Sequence, residues 1–369
     1  MRRRIAIFAL IVQSILILVH VFLYATWSFF GDEARPQSHL TLQLTIAVLS
    51  LSFVSASLLA IRYFNFLVRM YYTISAVWLG FVNFGFMAAC ACWIFYGALR
   101  IFGFHADRRL LAVTFLGLAI LATLYGIANA SWIRVKKITV KLPNLPESWR
   151  GRVVAQVSDL HLGHVQNLGF VRRIVAMLKR LGPDAVFITG DLFDGVAVDI
   201  DRLARPWEKM ASPLGTYFIT GNHEEFSNRT MYLDALKRYG VRILNNEKII
   251  VDGLQLVGVH DRDSASPERF RSLLNRAAVD RDRASVLLVH EPRHLNVAEE
   301  AGISLQLSGH THRGQFFPFT RIVSRIYKQY AYGLQIFGRL TTYTTCGTGT
   351  WGPPMRVGTT PEIVLIRFE

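Results

Sequence analysis

The sequence predicts two regions of different fold class: a bundle of membrane-spanning α-helices at the N-terminus, followed by an α/β layered domain. Two observations predict this arrangement. Hydrophobic residues make up 51% of the 369 residues, and their excess lies in the first third of the chain. After residue 150, short apolar runs alternate with amphipathic stretches, which is typical of helices packed on sheets.

Four apolar stretches predict the membrane region. Each is close to the ~20 residues that a helix needs to cross a bilayer. Charged residues are almost absent from them, as expected where desolvating a charge is costly. The stretches cover residues 5–25, 41–61, 74–99 and 110–129. A signal peptide could account for the first stretch but not for four, and buried core helices are the other alternative.

The charges that flank these stretches predict an orientation. If the N-terminus is inside, nine Lys and Arg flank the inner side: Arg2, Arg3, Arg4, Arg62, Arg69, Arg134, Lys136, Lys137 and Lys141. Four flank the outer side: Arg35, Arg100, Arg108 and Arg109. The positive-inside rule therefore predicts a multi-pass protein of the cell (inner) membrane with its α/β domain in the cytoplasm.

The net charge of +15 is concentrated near the membrane region. Residues 1–150 contain 14 Lys and Arg against 4 Asp and Glu, and the remaining residues contain 27 against 22. Anionic lipid headgroups are therefore expected as partners, and nucleic acid is not. Cys346 is the one cysteine after residue 150, so no disulfide is expected within that region.

We expect a membrane domain at 1–133, a linker at 134–150 that could form a short strand followed by a turn, and an α/β domain at 151–369. In the last region, five predicted strands each end in a polar cluster. The strands are 153–157, 185–189, 216–220, 286–289 and 304–308. The clusters are Ser158-Asp159-Leu160-His161, Gly190-Asp191-Leu192-Phe193-Asp194, Gly221-Asn222-His223-Glu224, His290-Glu291-Pro292 and Gly309-His310-Thr311-His312. Sites in open α/β sheets form at the carboxyl ends of strands, so these clusters are expected to converge.

The side chains in these clusters suit metal ions. Asp159 and His161 are two positions apart, as are His310 and His312, so each pair faces one way on an extended segment. Carboxylate, amide and imidazole ligands without cysteine favour Mn, Fe or Zn. Any one of these motifs alone is more often an ordinary turn. Five in order, each after a strand, indicate a site.

The ordered motifs D-x-H, G-D-x-x-D, G-N-H-[DE], a lone H and G-H-x-H resemble the calcineurin-like metallophosphoesterase superfamily over residues 152–369. The tail from Gly309 to Gln315, with Gly347-Thr348-Gly349 and Pro361-Glu362-Ile363, is similar to the bacterial membrane-associated branch, which resembles transmembrane proteins with a metallophosphoesterase domain. The resemblance implies a four-layer α/β-β/α sandwich.

The resemblance also implies roles for individual residues. One metal ion would be bound by Asp159, His161, Asp191 and His312, and the other by Asp191, Asn222, His290 and His310. Both would be divalent, with Mn²⁺ first and Fe or Zn as alternatives. A hydroxide that bridges them would attack phosphorus in line.

His223 would stabilise phosphoryl oxygens or protonate the leaving group, oriented by Glu224. Asp194 would orient a metal-binding side chain. Arg313 stands where relatives often have Gly. It could bind a second acidic group of the substrate or simply be solvated. His164 could line the site, or could be a core residue.

Residues 316–339 interleave aromatic and basic side chains. This segment could enter a lipid interface beside the site, or could be a packed loop with a solvated basic face. The predicted function is a membrane-bound phosphoesterase, for example a phosphodiesterase of lipid metabolism. Its substrate would be a lipid-linked phosphoester or pyrophosphate such as UDP-2,3-diacylglucosamine or a phospholipid headgroup. The alternatives are a non-catalytic membrane scaffold or sensor that retains the metal site, a transporter and a nuclease. The absence of charges inside the spans disfavours transport.

Overall fold

The structure is a computed structural model that describes residues 2–31, 36–195, 197–226 and 229–369. Arg35, one of the predicted flanking charges, lies outside these ranges, and the side chains of Arg2, Arg3 and Arg4 are not described. The chain divides into two compact units. One comprises residues 1–128 with 352–355, and the other comprises 129–351 with 356–369.

The first unit is helical. Its helices are α1 (Arg2–Phe30), α2 (Pro36–Arg62), α3 (Phe66–Ile101) and α4 (Arg108–Ser131). All four are long and apolar enough to cross a membrane, which confirms the predicted four helices. α3 begins well before the predicted apolar stretch, because the side chain of Asn65 accepts a hydrogen bond from Val68 N (3.0 Å) and caps the helix.

The second unit contains strands, helices and 3₁₀ turns. The strands are β1 (Arg134–Val140), β2 (Val153–Val157), β3 (Ala185–Thr189), β4 (Thr216–Ile219), β5 (Arg242–Ile243), β6 (Glu247–Val251), β7 (Leu254–Val259), β8 (Ser285–Val289), β9 (Leu305–Ser308), β10 (Gly333–Phe337), β11 (Leu340–Thr344) and β12 (Glu362–Phe368). The helices are α5 (Leu168–Leu181), α6 (Ile200–Ala204), α7 (Arg229–Arg238), α8 (Asp261–Ser264), α9 (Pro267–Ala277), α10 (Leu295–Glu300) and α11 (Phe319–Tyr327). The 3₁₀ turns are Glu147–Trp149, Arg205–Lys209, Glu224–Phe226, His312–Gly314 and Lys328–Ala331.

The strands form two six-stranded sheets. One has the order β1-β12-β2-β3-β4-β5 and the other β10-β11-β9-β8-β7-β6. β2, β3 and β4 pair in parallel, as do β7, β8 and β9. Parallel strands share the edge at which their carboxyl ends lie, so the loops after them meet there.

Three apolar clusters define the layers. The buried cluster between the sheets contains side chains from both of them, such as Phe187 and Leu288. A second cluster packs the other face of the first sheet on α5, whose Ile174 and Leu178 are buried. A third packs the second sheet on α9 and α10. These layers confirm the predicted four-layer α/β-β/α arrangement.

The segment 134–150, which we expected to be a linker, contains a strand of the first sheet. β1 pairs in parallel with β12 along its whole length, from Arg134 opposite Glu362 to Val140 opposite Phe368. The alternating burial of β1 matches the period of two that the sequence predicts. The domain limits themselves stay a prediction.

Candidate metal centre

The five polar loops contact one another across the two sheets. Gly309 N donates to the carbonyl oxygen of His290 (2.8 Å), which joins the loops after β9 and β8. His310 N lies 3.1 Å from both carboxylate oxygens of Asp159, which joins the second sheet to the first. The expected convergence of the loops is therefore present in the structure.

A first group of potential ligands contains Asp159, His161 and His312. The Nε2 atoms of His161 and His312 lie 3.0 Å apart. His312 Nε2 lies 3.5 Å from Asp159 Oδ1. These three side chains direct one nitrogen or oxygen each at a common point.

A second group contains Asp191, His290 and His310, joined by Asn222. His290 Nε2 lies 3.1 Å from Asp191 Oδ2. His310 Nδ1 lies 3.3 Å from His290 Nε2 and 2.9 Å from Asn222 Oδ1. The structure thus brings all seven predicted ligands into two adjacent groups.

Asp191 connects the two groups through one carboxylate oxygen. Its Oδ2 lies 3.1 Å from His290 Nε2 in the second group and 3.9 Å from His161 Nε2 in the first. Its other oxygen, Oδ1, accepts a hydrogen bond from His223 N (2.9 Å). A shared oxygen between two ligand groups is the geometry that a bridging carboxylate needs.

Hydrogen bonds at the far ring nitrogens direct lone pairs into both groups. His290 Nδ1 donates to the carbonyl oxygen of Thr189 (2.7 Å), and His161 Nδ1 donates to Asp194 Oδ1 (3.2 Å). In the neutral form that binds a metal ion, each of these rings carries its one proton on Nδ1, so its Nε2 atom is an acceptor. With oxygen and nitrogen donors and no thiolate, the residues fit two divalent cations.

Burial and neighbouring charges set the protonation of this cluster. Burial alone would raise the pKa of Asp191, but the imidazoles of His290 and His223 hold it well below its ordinary value. Burial and the charge of His290 lower the pKa of His310 to about 3, and burial with neighbouring His161 lowers that of His312. Burial opposes a charge on His290, yet Asp191 raises its pKa. Ionised Asp191 and neutral His310 and His312 are in the forms that bind cations.

Five of the seven predicted ligands have a left-handed backbone, which non-glycine residues rarely adopt. Their φ angles are 53° at Asp159, 50° at His161, 49° at Asp191, 69° at His310 and 45° at His312. Such conformations cost about 1–3 kcal/mol each and cluster at functional sites. The strain is therefore an independent indication that these residues serve a function.

Asp194 contacts two histidines of the site. Besides His161, it reaches His223, whose Nδ1 lies 3.1 Å from the Asp194 carbonyl oxygen and 3.4 Å from Oδ1. We predicted that Glu224 orients His223. Instead, the Glu224 carboxylate accepts hydrogen bonds from the backbone N–H groups of Asp191, Gly221 and Phe193 at 2.8–3.1 Å. Asp194 is thus the group on the His223 ring, and Glu224 ties the loops after β3 and β4 together.

The side chains of Arg313 and His164 differ in exposure. Arg313 is exposed in the turn after His312, and its guanidinium lies over the Tyr332 ring at 4.9 Å. This position leaves the charge accessible to a substrate. His164 is fully buried, as are Asp159 and His290 among the predicted ligands.

Sequence reasoning missed Arg356. This arginine is completely buried, and its Nη2 donates to the carbonyl oxygens of Cys346 (2.7 Å) and Gly349 (2.6 Å). The same atom lies 3.2 Å from His312 Nδ1. Arg356 therefore holds the loop after β11 against a predicted ligand. Nothing in a single sequence distinguishes such an arginine from a solvated one.

Trp351 was also missed. It is 58% exposed, its ring lies 6.0 Å from that of His223, and Gln315 fixes its backbone through two hydrogen bonds of 3.0 Å. An exposed aromatic ring beside the site offers a surface to an apolar or planar part of a substrate.

Comparison with known proteins agrees with this geometry. A model of the calcineurin-like phosphoesterase family matches residues 152–314. The transmembrane protein with metallophosphoesterase domain of Danio rerio is 34% identical over 69% of this chain and 62% of its own length. An uncharacterized metallophosphoesterase of Aquifex aeolicus is 30% identical over 68% of this chain and 98% of its own length.

The solved structure of a dimetal phosphatase from Danio rerio aligns with this chain at 10% sequence identity and a TM-score of 0.34. The alignment includes 53% of this chain and 87% of the phosphatase chain. The chain spans less than two thirds of the length of several relatives, 63% and 64% for proteins of Campylobacter jejuni and Helicobacter pylori. Nearly all of the Aquifex protein is covered, and the residues matched by the family model include all five polar clusters. The chain belongs to the calcineurin-like phosphoesterase family, and its fold carries a candidate dinuclear metal site.

Proposed function

We propose that this chain is a membrane-bound phosphoesterase that hydrolyses a phosphoric ester or pyrophosphate with two divalent metal ions. One observation carries the proposal: Asp191 Oδ2 faces both ligand groups, at 3.1 Å from His290 Nε2 and 3.9 Å from His161 Nε2. Two cations that share a carboxylate are the arrangement expected for in-line displacement at phosphorus.

The ligands divide between the two positions as the family resemblance implied. Asp159, His161, Asp191 and His312 would bind one ion; Asp191, Asn222, His290 and His310 would bind the other. We propose Mn²⁺ as the native ion, and the donor set also suits Fe or Zn. When bound, the pair would clamp phosphoryl oxygens and acidify a water.

The remaining residues position groups and move a proton. Asp194 holds Nδ1 of His223, so Nε2 of the doubly protonated ring is the atom that would donate to a phosphoryl or leaving-group oxygen. The exposed guanidinium of Arg313 would bind a second acidic group of the substrate. Glu224 would keep the Asp191 and Gly221 loops in register rather than meet substrate.

We further propose that the substrate is lipid-linked, for example UDP-2,3-diacylglucosamine or a phospholipid headgroup. The four helices able to cross a bilayer support a substrate found at the membrane. The nine inner-side against four outer-side charges support an inner-membrane protein with a cytoplasmic catalytic domain. Nucleic acid is not proposed as a partner, since +10 of the net charge of +15 lies in the first 150 residues.

The test uses the full chain in detergent with added Mn²⁺. Hydrolysis of an aryl phosphodiester and an aryl phosphomonoester is measured for the unmodified chain, Asp191→Asn and His223→Ala. Asp199→Asn is the matched control, because Asp199 is exposed and caps α6, where Asn serves equally well. We expect Asp191→Asn to abolish turnover. Full activity in that variant would refute the two-metal assignment, and Mn²⁺ binding without turnover of any ester would favour the non-catalytic scaffold.

A further inference from the structure

Helix α11 has an apolar face that is largely exposed. None of its nine residues is buried. Phe319 and Ile322 are each 46% exposed and Ile326 is 64% exposed. Their spacing of three and four places them on one side of the helix. A surface helix normally turns such a face toward the core, so α11 is arranged for a partner other than its own domain.

The rest of the helix is basic. Arg321 and Arg325 are exposed and fall on the side away from Phe319, and Lys328 follows the last turn. Residues 316–339 contain four Lys and Arg and no Asp or Glu. This combination of exposed apolar and cationic side chains matches an anionic lipid surface.

Both ends of α11 are attached to the metal centre. At its start, Gly314 packs so closely on the Phe319 backbone that a Cβ there would lie 2.3 Å from its carbonyl carbon. At its end, the Tyr327 hydroxyl donates to Glu291 Oε1 (2.6 Å), and its ring lies 6.4 Å from that of His310. A partner that binds α11 would therefore also lie beside the loops at the edge of the metal centre.

We infer that α11 lies in the headgroup region of an anionic bilayer and docks the rim of the metal centre on the membrane. The bilayer is the occupant because the same chain carries four helices able to cross one, and Arg134 follows the last of them by three positions. Phe316, which we predicted with the lipid-facing aromatics, is only 5% exposed and packs on Phe319, so it is not part of this face. The inference rests on the proposed membrane location and not on hydrolysis.

The experiment measures depth in the bilayer for the full chain reconstituted in vesicles. A fluorophore is placed at Ile326→Cys, and the matched control is Met231→Cys on α7, which is 55% exposed. The unmodified chain, treated with the same fluorophore, gives the background from the native cysteines, of which Cys346 is buried. We expect brominated acyl chains to quench the label at 326 but not at 231 when the vesicles contain phosphatidylglycerol. The double change Arg321→Glu and Arg325→Glu should abolish the quenching.

Equal quenching at the two positions would overturn the inference. The inference would also be overturned if the label at position 326 became shielded from solvent as protein concentration rises, with or without lipid. That result would assign the apolar face to a second copy of the chain. A second arm compares Ile322→Ser/Ile326→Ser on a vesicle-embedded ester and a soluble aryl phosphate. Loss confined to the vesicle substrate supports docking, and equal loss on both contradicts it. If the chain hydrolyses neither ester, the proposed function fails while the quenching result still stands.

Discussion

Replacing Asp194 by Asn tests whether this carboxylate positions both a metal ligand and the proton donor. Its Oδ1 lies 3.2 Å from His161 Nδ1 and 3.4 Å from His223 Nδ1. Asn keeps an acceptor oxygen but removes the negative charge, and charge-assisted hydrogen bonds are roughly twice as strong as neutral ones. Outer partners of metal-binding histidines typically contribute roughly 10- to 100-fold in affinity. We therefore expect Mn²⁺ to bind Asp194→Asn more weakly by that factor, about 1.4–2.7 kcal/mol.

The assay titrates the detergent-solubilised chain with Mn²⁺. Calorimetry measures the binding, and hydrolysis of an aryl phosphate measures the activity. Asp199→Asn is again the control, because it makes the same chemical change at an exposed helix cap. Asp194→Asn should also lower kcat at saturating Mn²⁺, since His223 loses its orienting charge. If both variants bind Mn²⁺ equally and share one kcat, Asp194 does not position these histidines.

Two further predictions concern packing and pH. Gly309→Ala would place a Cβ 2.3 Å from Asp159 Oδ2, so we expect this variant to bind Mn²⁺ more weakly. The control is Gly117→Ala, whose Cβ meets no atom within 4 Å and which should bind Mn²⁺ normally. Calorimetry on both variants tests this prediction. Burial, and then the charge of Arg229, lowers the pKa of His260 from 6.5 to about 4. As the pH falls, His260 is therefore protonated in the unfolded chain before it is protonated in the folded one. Stability from this residue is complete above about pH 6.5 and is lost toward pH 4, by up to about 3 kcal/mol. The thermal midpoint should fall more between pH 7 and 4.5 in the unmodified chain than in His260→Gln, and parallel pH profiles would contradict the assignment.

The strand ends and their polar residues could be predicted because they depend on local sequence. An apolar run such as Val153–Val157 predicts a buried strand, and Asp159 and His161 after it predict a site at its carboxyl end. The four membrane helices were equally predictable, since length and apolarity suffice. The start of α3 was not, because it depends on a cap at Asn65 outside the apolar run.

Contacts between distant residues could not be predicted. Arg356 contacts His312, which is 44 positions away in the sequence, and no sequence spacing predicts this contact. The partner of His223 was misjudged for the same reason. Glu224 is its neighbour in sequence, but Asp194, 29 positions earlier, is its neighbour in space.

Hydrogen bonds between the loops explain how the strained ligands keep their positions. The Asp159 carboxylate accepts from His310 N, the Asp191 carboxylate accepts from His223 N, and Glu224 accepts from Asp191 N. Each of these bonds fixes the backbone of one loop with a side chain of another. Because a hydrogen bond contributes about 0.5–1.5 kcal/mol, and about 1.5–3 kcal/mol when its acceptor is charged, these bonds offset part of the about 1–3 kcal/mol that each left-handed ligand costs. The two ligand groups are therefore preorganised by the protein itself, and their positions depend on residues that would touch neither ion.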